Sequence, residues 1–174
     1  LELSSFQLAT TNSLSPDVAC ILNIAPDHLD RHSTFGEYVA TKSKILSSAR
    51  SVVVNADDCH SRDLPSSAVR YRFSIEDREG VEFFVREQGK TVSLFDPQGK
   101  LLDEVDLGQR GSHNIANALA AAAISTLAGA SRDSIIAILR EFKGLPHRSE
   151  FVASIKGVDF VNDSKATNPH AASA

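Results

Sequence analysis

The densest run of chemically capable side chains is Asp27-His28-Leu29-Asp30-Arg31-His32. Carboxylates interleaved with imidazoles suit a divalent cation or a phosphate-handling loop, and they equally suit a solvated polar loop. Lys42 is a second candidate. It follows Phe35 by seven residues and Tyr38 by four, so on a helix it shares the apolar stripe of Phe35, Tyr38, Val39, Ile45 and Leu46. An amine there is either a side chain snorkelling past the helix edge or an ammonium, or a chemically modified amine, held near anionic ligands. Lys44 falls off the stripe and reads as surface. Asn114 and Asn117 are three apart, so at a helix start their amides face the same way beside unpaired backbone N–H groups. Such a pair can donate to and accept from the edge of a base, or can cap the helix locally. Arg148 follows Leu145-Pro146-His147, a rigid turn that would mount a guanidinium for phosphate. Asp163, Ser164, Lys165 and Thr167 crowd the end of an expected strand.

One motif is a decoy. Gly89-Lys90-Thr91 imitates the tail of a phosphate-binding P-loop, but Phe84 stands where the motif needs its first glycine. The run also lies between two expected strands, with no helix start to receive phosphate, and reads as a hairpin turn.

The elements that must position these residues follow from apolar patterning. Continuous apolar runs over Asp17 to Ile24, bounded by Pro16 and Pro26, and over Ser51 to Asn55 suit strands covered on two faces. Thr34 can cap a helix from Phe35 to Ser48 between them, which makes a strand-helix-strand unit with the Asp27 cluster just past a strand's C-terminal end, where open α/β sheets place ligands. From Val69 to Leu107 the pattern alternates, with turns at Gln88-Gly89 and Asp96-Pro97-Gln98-Gly99, and predicts an antiparallel meander as a side element on the main sheet. An alanine-rich helix should run from Ser112 to Gly129, and a second one, capped by Ser131, should end before Gly144. Ser149 to Val161 reads as two short strands around Lys156-Gly157, with a domain boundary near Leu145. The expected fold class is α/β: a mainly parallel sheet flanked by helices, with a small antiparallel meander.

At 174 residues, 42% hydrophobic and 23% charged, the chain can bury one good core. A net charge of -4 and a pI near 5.8 supply no general field for nucleic acid or an anionic membrane, so any phosphate must be held locally. No apolar stretch reaches bilayer length and no leader pattern opens the sequence, so a cytoplasmic location is expected. Cys20, inside an apolar run, and Cys59 are too few and too far apart for a disulfide framework or a zinc site. The sequence has no methionine and begins Leu1-Glu2-Leu3, which reads as the end of a buried strand, so further sequence is expected upstream. Pro169 to Ala174 reads as the opening of a helix.

Taken in chain order, several motifs resemble the Mur ligase family, and within it the D-glutamate-adding branch. They are Glu2-Leu3-Ser4-Ser5-Phe6-Gln7-Leu8, Asn23 to Arg31 with Asp27-His28, Ala40-Thr41-Lys42, His113 to Leu119, Leu145-Pro146-His147-Arg148, and Asn162-Asp163-Ser164-Lys165-Ala166-Thr167-Asn168. Other amino-acid-adding members and folylpolyglutamate synthetase share the plan but differ at the first and last of these segments. The resemblance implies a P-loop ATPase-like central domain and an ATP-dependent amide ligase. ATP would phosphorylate the carboxylate of UDP-N-acetylmuramoyl-L-alanine, D-glutamate would attack the acyl phosphate, and two Mg2+ sites would neutralise phosphate charge.

By motif position, the resemblance implies Glu2 and His28 as metal-side ligands. Lys42 would be the lysine that the family carbamylates to help place a second magnesium, and with His28 and Lys165 it would form the catalytic set. Carbamylation needs a neutral amine, which burial favours. Asn114 and Asn117 would contact adenine, Arg148 the γ-phosphate, and Asp163 and Lys165 the nucleotide and transferring group. Ser4, Gln7 and Thr167 would line the muramoyl substrate. The family's P-loop, its uridine-binding domain and most of its D-glutamate-holding domain have no counterpart here. The resemblance therefore implies a partial central ATP-binding domain over 1–144 and the start of a Rossmann-like domain over 145–174. It also implies a monomeric parent enzyme, and an isolated chain that is inactive and prone to self-association through an exposed sheet edge. A different ligase of the superfamily and a non-catalytic remnant of the fold are the alternatives.

Overall fold

A computed structural model describes residues 1–109 and 111–166. Thr167, Asn168 and the helix expected from Pro169 lie outside the described residues.

Three parallel strands begin the main sheet: β1 (Val18–Ile21), β2 (Ser51–Asn55) and β3 (Val69–Ser74). The apolar run in β2 demands cover on both sides, and Val52, Val53 and Val54 are all fully buried. One face receives α2 (Phe35–Ser47), whose Tyr38 and Leu46 pack on Ala19, Ile21, Val52 and Val54. Thr34 caps that helix as expected, its hydroxyl accepting from the Glu37 N–H at 3.1 Å. The other face receives α3 (Ser112–Leu127), whose Ala118, Ala120, Ala122 and Ala123 let it lie close to Val53, Phe73 and Phe83. Against α3 packs α4 (Arg132–Glu141), capped by Ser131 as expected. Among the described residues no helix is long and apolar enough to cross a membrane.

The meander is not a side element. It continues the main sheet: β4 (Phe83–Gln88) pairs with β3 in parallel through Phe73↔Phe83 and Ser74↔Phe84, then β5 (Thr91–Asp96) and β6 (Gly99–Asp103) follow antiparallel, giving the order β1-β2-β3-β4-β5-β6. Side-chain alternation is blind to strand direction, and Phe73 and Phe83 fill one core beneath α3 whichever way their strands run. Gly89-Lys90-Thr91 does form the β4–β5 turn.

The start of the chain also departs from expectation. Leu1 to Leu3 form no strand and Leu1 is wholly exposed; instead a six-residue helix, α1 (Ser5–Thr10), opens at Ser4. Ser4 and Gln7 make a reciprocal capping box, Gln7 Oε1 accepting from the Ser4 N–H at 2.8 Å and Ser4 Oγ from the Gln7 N–H at 3.3 Å. The strand expected over Asp17 to Ile24 is confined to Val18–Ile21. Beyond it the chain is held by a side chain, the Ile24 N–H donating to Asp58 Oδ2 at 3.1 Å.

At the other end, β7 (Glu150–Ile155) and β8 (Val158–Asn162) form a separate two-stranded hairpin. Its turn residues Lys156 and Gly157 have φ of 52° and 79°, the left-handed pair that matches the twist of tight hairpins.

Candidate active site

Five of the expected site residues converge. Asn114, Asn117, Arg148, Asp163 and Lys165 line a single cleft of about 490 Å³, together with Asn23, Gln109, His113 and Phe142. The two asparagines reach it from the first turns of α3, whose cap residue, Gly111, has φ 103° and offers no side chain to the helix start. They also border an adjoining, largely apolar cavity of about 310 Å³ walled by Leu107, Ala118, Ala121, Ile138, Leu139 and Phe142. Flat apolar walls with two amides at the rim form a pocket suited to a heteroaromatic ring. The wall is set by close packing: Gly108 donates to Leu139 O at 2.9 Å, and a Cβ at Gly108 would lie 2.1 Å from Phe142 O.

Arg148 stands in a turn whose neighbours are both left-handed, His147 at φ 66° and Ser149 at φ 46°. Each such non-glycine residue costs about 1–3 kcal/mol and persists only where its surroundings hold it. Here the His147 N–H donates to Glu150 Oε2 at 2.9 Å, the Ser149 N–H to Asp163 Oδ1 at 3.1 Å and the Lys165 N–H to His147 O at 3.1 Å. Asn162 Nδ2 lies 2.8 Å from His147 Nδ1. These bonds join the Arg148 turn and the Asp163–Lys165 turn into one unit, so two cations and a carboxylate are presented together.

Glu2 and Lys42 line a second cleft of about 520 Å³ with Leu3, Leu8, Cys20, Ile21 and Asn23. Lys42 is half-buried, its Nζ 5.4 Å from the centroid of the Tyr38 ring, whereas Thr41 takes the buried position next to it. The inward stripe expected for α2 therefore carries Lys42 along its edge, and the lysine reaches the cleft from there. Cys20 also borders this cleft, and burial pushes its thiol up to about 12, so it remains a neutral thiol at ordinary pH.

His28 is placed elsewhere. It is exposed, with φ 54°, in a cluster with Phe6 (ring centroids 5.0 Å apart) and Asp27 (Oδ2 3.6 Å from Nε2), and it does not line the Glu2–Lys42 cleft. Among the described residues no group of three or more His, Cys, Asp and Glu side chains is arranged to hold a metal ion. In the same cluster His32 is buried against Ser5 Oγ at 3.0 Å and packs edge-on to Tyr38. The Tyr38 hydroxyl is held above its ordinary range by burial first and by the Asp27 charge second.

Ser4 and Gln7 border neither cleft and are engaged with each other in the capping box. The residue missed in the sequence is Asn23. It lines both clefts and also a third, smaller one with Asp57, Asp58 and His60. In the sequence it opens the Asn23 to Arg31 motif and breaks the apolar run at a strand's C-terminal end, and no role attaches to it there.

The profile of the Mur ligase middle domain matches residues 1–125. The chain is 42% identical over 176 aligned residues to the UDP-N-acetylmuramoylalanine–D-glutamate ligase of Caldanaerobacter subterraneus subsp. tengcongensis, covering 98% of this chain and 38% of that protein. It is 43% identical over 170 residues to the like-named ligase of Methylobacillus flagellatus, covering 97% of this chain and 38% of the relative. The chain thus spans about two fifths of the length of these curated relatives. Among solved structures it is similar to a crystal structure of MurF from Acinetobacter baumannii, with a TM-score of 0.74 and 26% identity over 92% of this chain and 36% of that one. MurC from Thermotoga maritima, at 21% identity and a TM-score of 0.68 over 94% of this chain and 37% of that one, shares the fold. A family match over residues 1–125, with relatives 42–43% identical along nearly the whole chain, shows that the chain belongs to the Mur ligase family.

Proposed function

We propose that this chain is the central part of an ATP-dependent ligase that joins D-glutamate to UDP-N-acetylmuramoyl-L-alanine. The observation that carries the reading is the convergence of Asn114, Asn117, Arg148, Asp163 and Lys165 on one cleft that meets the Glu2–Lys42 cleft at Asn23. The choice of amino acid rests on relatives 40–43% identical that carry the D-glutamate ligase name, against 26% for the MurF structure.

In this reading adenine enters the apolar cavity, with its edge against Asn114 and Asn117. Arg148 and Lys165 face the phosphates, where their fixed charges stabilise negative charge shifting onto the transferring group without reorganisation. Asp163 sets the backbone of the Arg148 turn and borders the nucleotide. The carboxylate of the muramoyl substrate is phosphorylated, the amine of D-glutamate attacks the acyl carbon, and phosphate leaves. Thr167, Ser4 and Gln7 remain assigned to the muramoyl side; for Ser4 and Gln7 the capping box is a competing use of the same groups.

Magnesium fits in part. Glu2 supplies one oxygen ligand beside Lys42, whose carbamate would supply a second, while His28 stands in a different cluster. When bound there, the ion would neutralise phosphate charge between two anions. Residues 1–144 would form the partial ATP-binding domain and 145–174 the start of the next domain, in a monomeric, cytoplasmic enzyme.

The test is ADP release by the complete protein carrying this segment, which should require both UDP-N-acetylmuramoyl-L-alanine and D-glutamate. Turnover with another amino acid or acceptor would assign the chain to a different ligase of the superfamily. A complete protein that binds nucleotide without turnover would be a non-catalytic remnant.

A further inference from the structure

We propose that Asn23 is a catalytic residue of the ligation, its Nδ2 donating to the phosphoryl group as that group passes from nucleotide to carboxylate. The inference rests on the ligase reading above. Three observations lead to it. Asn23 is shared by the cleft of Asn114 and Arg148 and the cleft of Glu2 and Lys42, so it stands where a group leaving one would enter the other. Its backbone is fixed on both sides, by the pairing of Ile21 with Val54 and by the Ile24 N–H on Asp58 Oδ2. Its carboxamide, by contrast, makes no hydrogen bond to any described residue.

The held backbone fixes where the carboxamide starts from, and the carboxamide, exposed and committed to no partner among the described residues, can turn its N–H groups toward charge that develops between the two clefts. Asn23 is exposed, and what sets it apart from an ordinary surface asparagine beside a turn is its place on the border of both clefts. A carboxamide also suits the position better than a lysine or a carboxylate. It donates to a dianion without holding it in the ground state as a full positive charge would, and it does not repel it.

The experiment compares wild type, Asn23→Ala and Asn23→Asp in the complete protein, by steady-state ADP release and by calorimetric binding of a non-hydrolysable ATP analogue. Ala should lower kcat by about 100-fold, and Asp, which keeps the shape but turns an acceptor and a charge on the phosphate, by more. Analogue affinity and the KM for the muramoyl substrate should stay within about three-fold for Ala, and its thermal midpoint should match wild type. Wild-type kcat in the Ala variant would overturn the proposal, as would a loss confined to KM or to analogue affinity, which would make Asn23 a ground-state contact. If Ala unfolds the protein, the shape-conserving Asp variant decides alone, and activity within a few-fold of wild type would overturn the proposal. A wild-type protein without turnover would sink the ligase reading itself, whereas an active wild type with an unaffected Ala variant sinks only this inference.

Discussion

Lys42 stands on α2 at the edge of that helix's inward stripe. Its half-buried amine opens on the same cleft as Glu2 and lies 5.4 Å from the Tyr38 ring centroid. If the amine acts as a carbamate, arginine cannot replace it, because a guanidinium keeps the charge but offers no nitrogen that adds carbon dioxide at neutral pH. Both Lys42→Ala and Lys42→Arg should then lose about 100-fold or more of kcat in the complete protein, and wild-type activity should fall when bicarbonate is stripped from the buffer and return with it. An active Lys42→Arg protein, insensitive to bicarbonate, would show that only the positive charge matters. Lys42, Asn114, Asn117, Arg148, Asp163 and Lys165 could be singled out in the sequence as candidates because their types and spacing already limit the chemistry. Asn23 opens one of the quoted motifs but carries no role there, since what distinguishes it is a position between clefts built by segments far apart in the chain. Ser4 and Gln7, which the resemblance places on the muramoyl side, also have the spacing that signals a helix cap, and the capping box is the use of them that α1 displays.

The apolar cavity beside Asn114 and Asn117 depends on α4 staying where it is, and an ion pair ties the first turn of that helix to β5. Arg132, at the first turn of α4, places Nε 2.8 Å from Asp96 Oδ2 at the end of β5; the Asp96 side chain is 6% exposed and that of Arg132 30%. Removing the guanidinium leaves a buried carboxylate unpaired. Arg132→Ala should therefore cost about 2–4 kcal/mol, toward the lower end because the arginine is partly solvated. Urea unfolding of the chain measures this, and a change within about 0.5 kcal/mol would show that α4 is held by its apolar face alone. Because Ile138, Leu139 and Phe142 of this segment wall the cavity beside Asn114 and Asn117, the same substitution should also raise the KM for ATP more than it lowers kcat. Elements defined by local signals were readable in advance: Thr34 and Ser131 cap where hydroxyls precede apolar periodicity. The parallel pairing of β3 with β4 was not, because direction is settled by where Phe73 and Phe83 find a common core rather than by either strand's own pattern.

Taken as a whole, the molecule divides sharply in how it treats apolar surface. The six-stranded sheet buries Val52, Val53, Val54, Phe73, Phe83 and Val85, whereas the β7–β8 hairpin leaves Phe151, Val152, Ile155, Val158, Phe160 and Val161 all at least half exposed. The register puts Ala153, Ile155, Val158 and Phe160 on one face and, past a bulge, Phe151 and Val161 on the other beside Ser154 and Asp159, so each face carries exposed apolar side chains. A two-stranded hairpin is marginal by itself, and one with apolar side chains on both faces gains by covering both. The 174-residue chain should therefore self-associate as its concentration rises, measured by sedimentation velocity, and the double variant Phe151→Ser/Phe160→Ser, which removes one aromatic from each face, should be largely monomeric. If the variant still assembles, the contact belongs instead to β1, which pairs with β2 on one side only. If the unaltered chain is monomeric at every concentration, exposure of the hairpin has no associative consequence. Covering these faces within a longer chain would also fix the turns of Arg148 and Asp163, which hang on the hairpin's two ends.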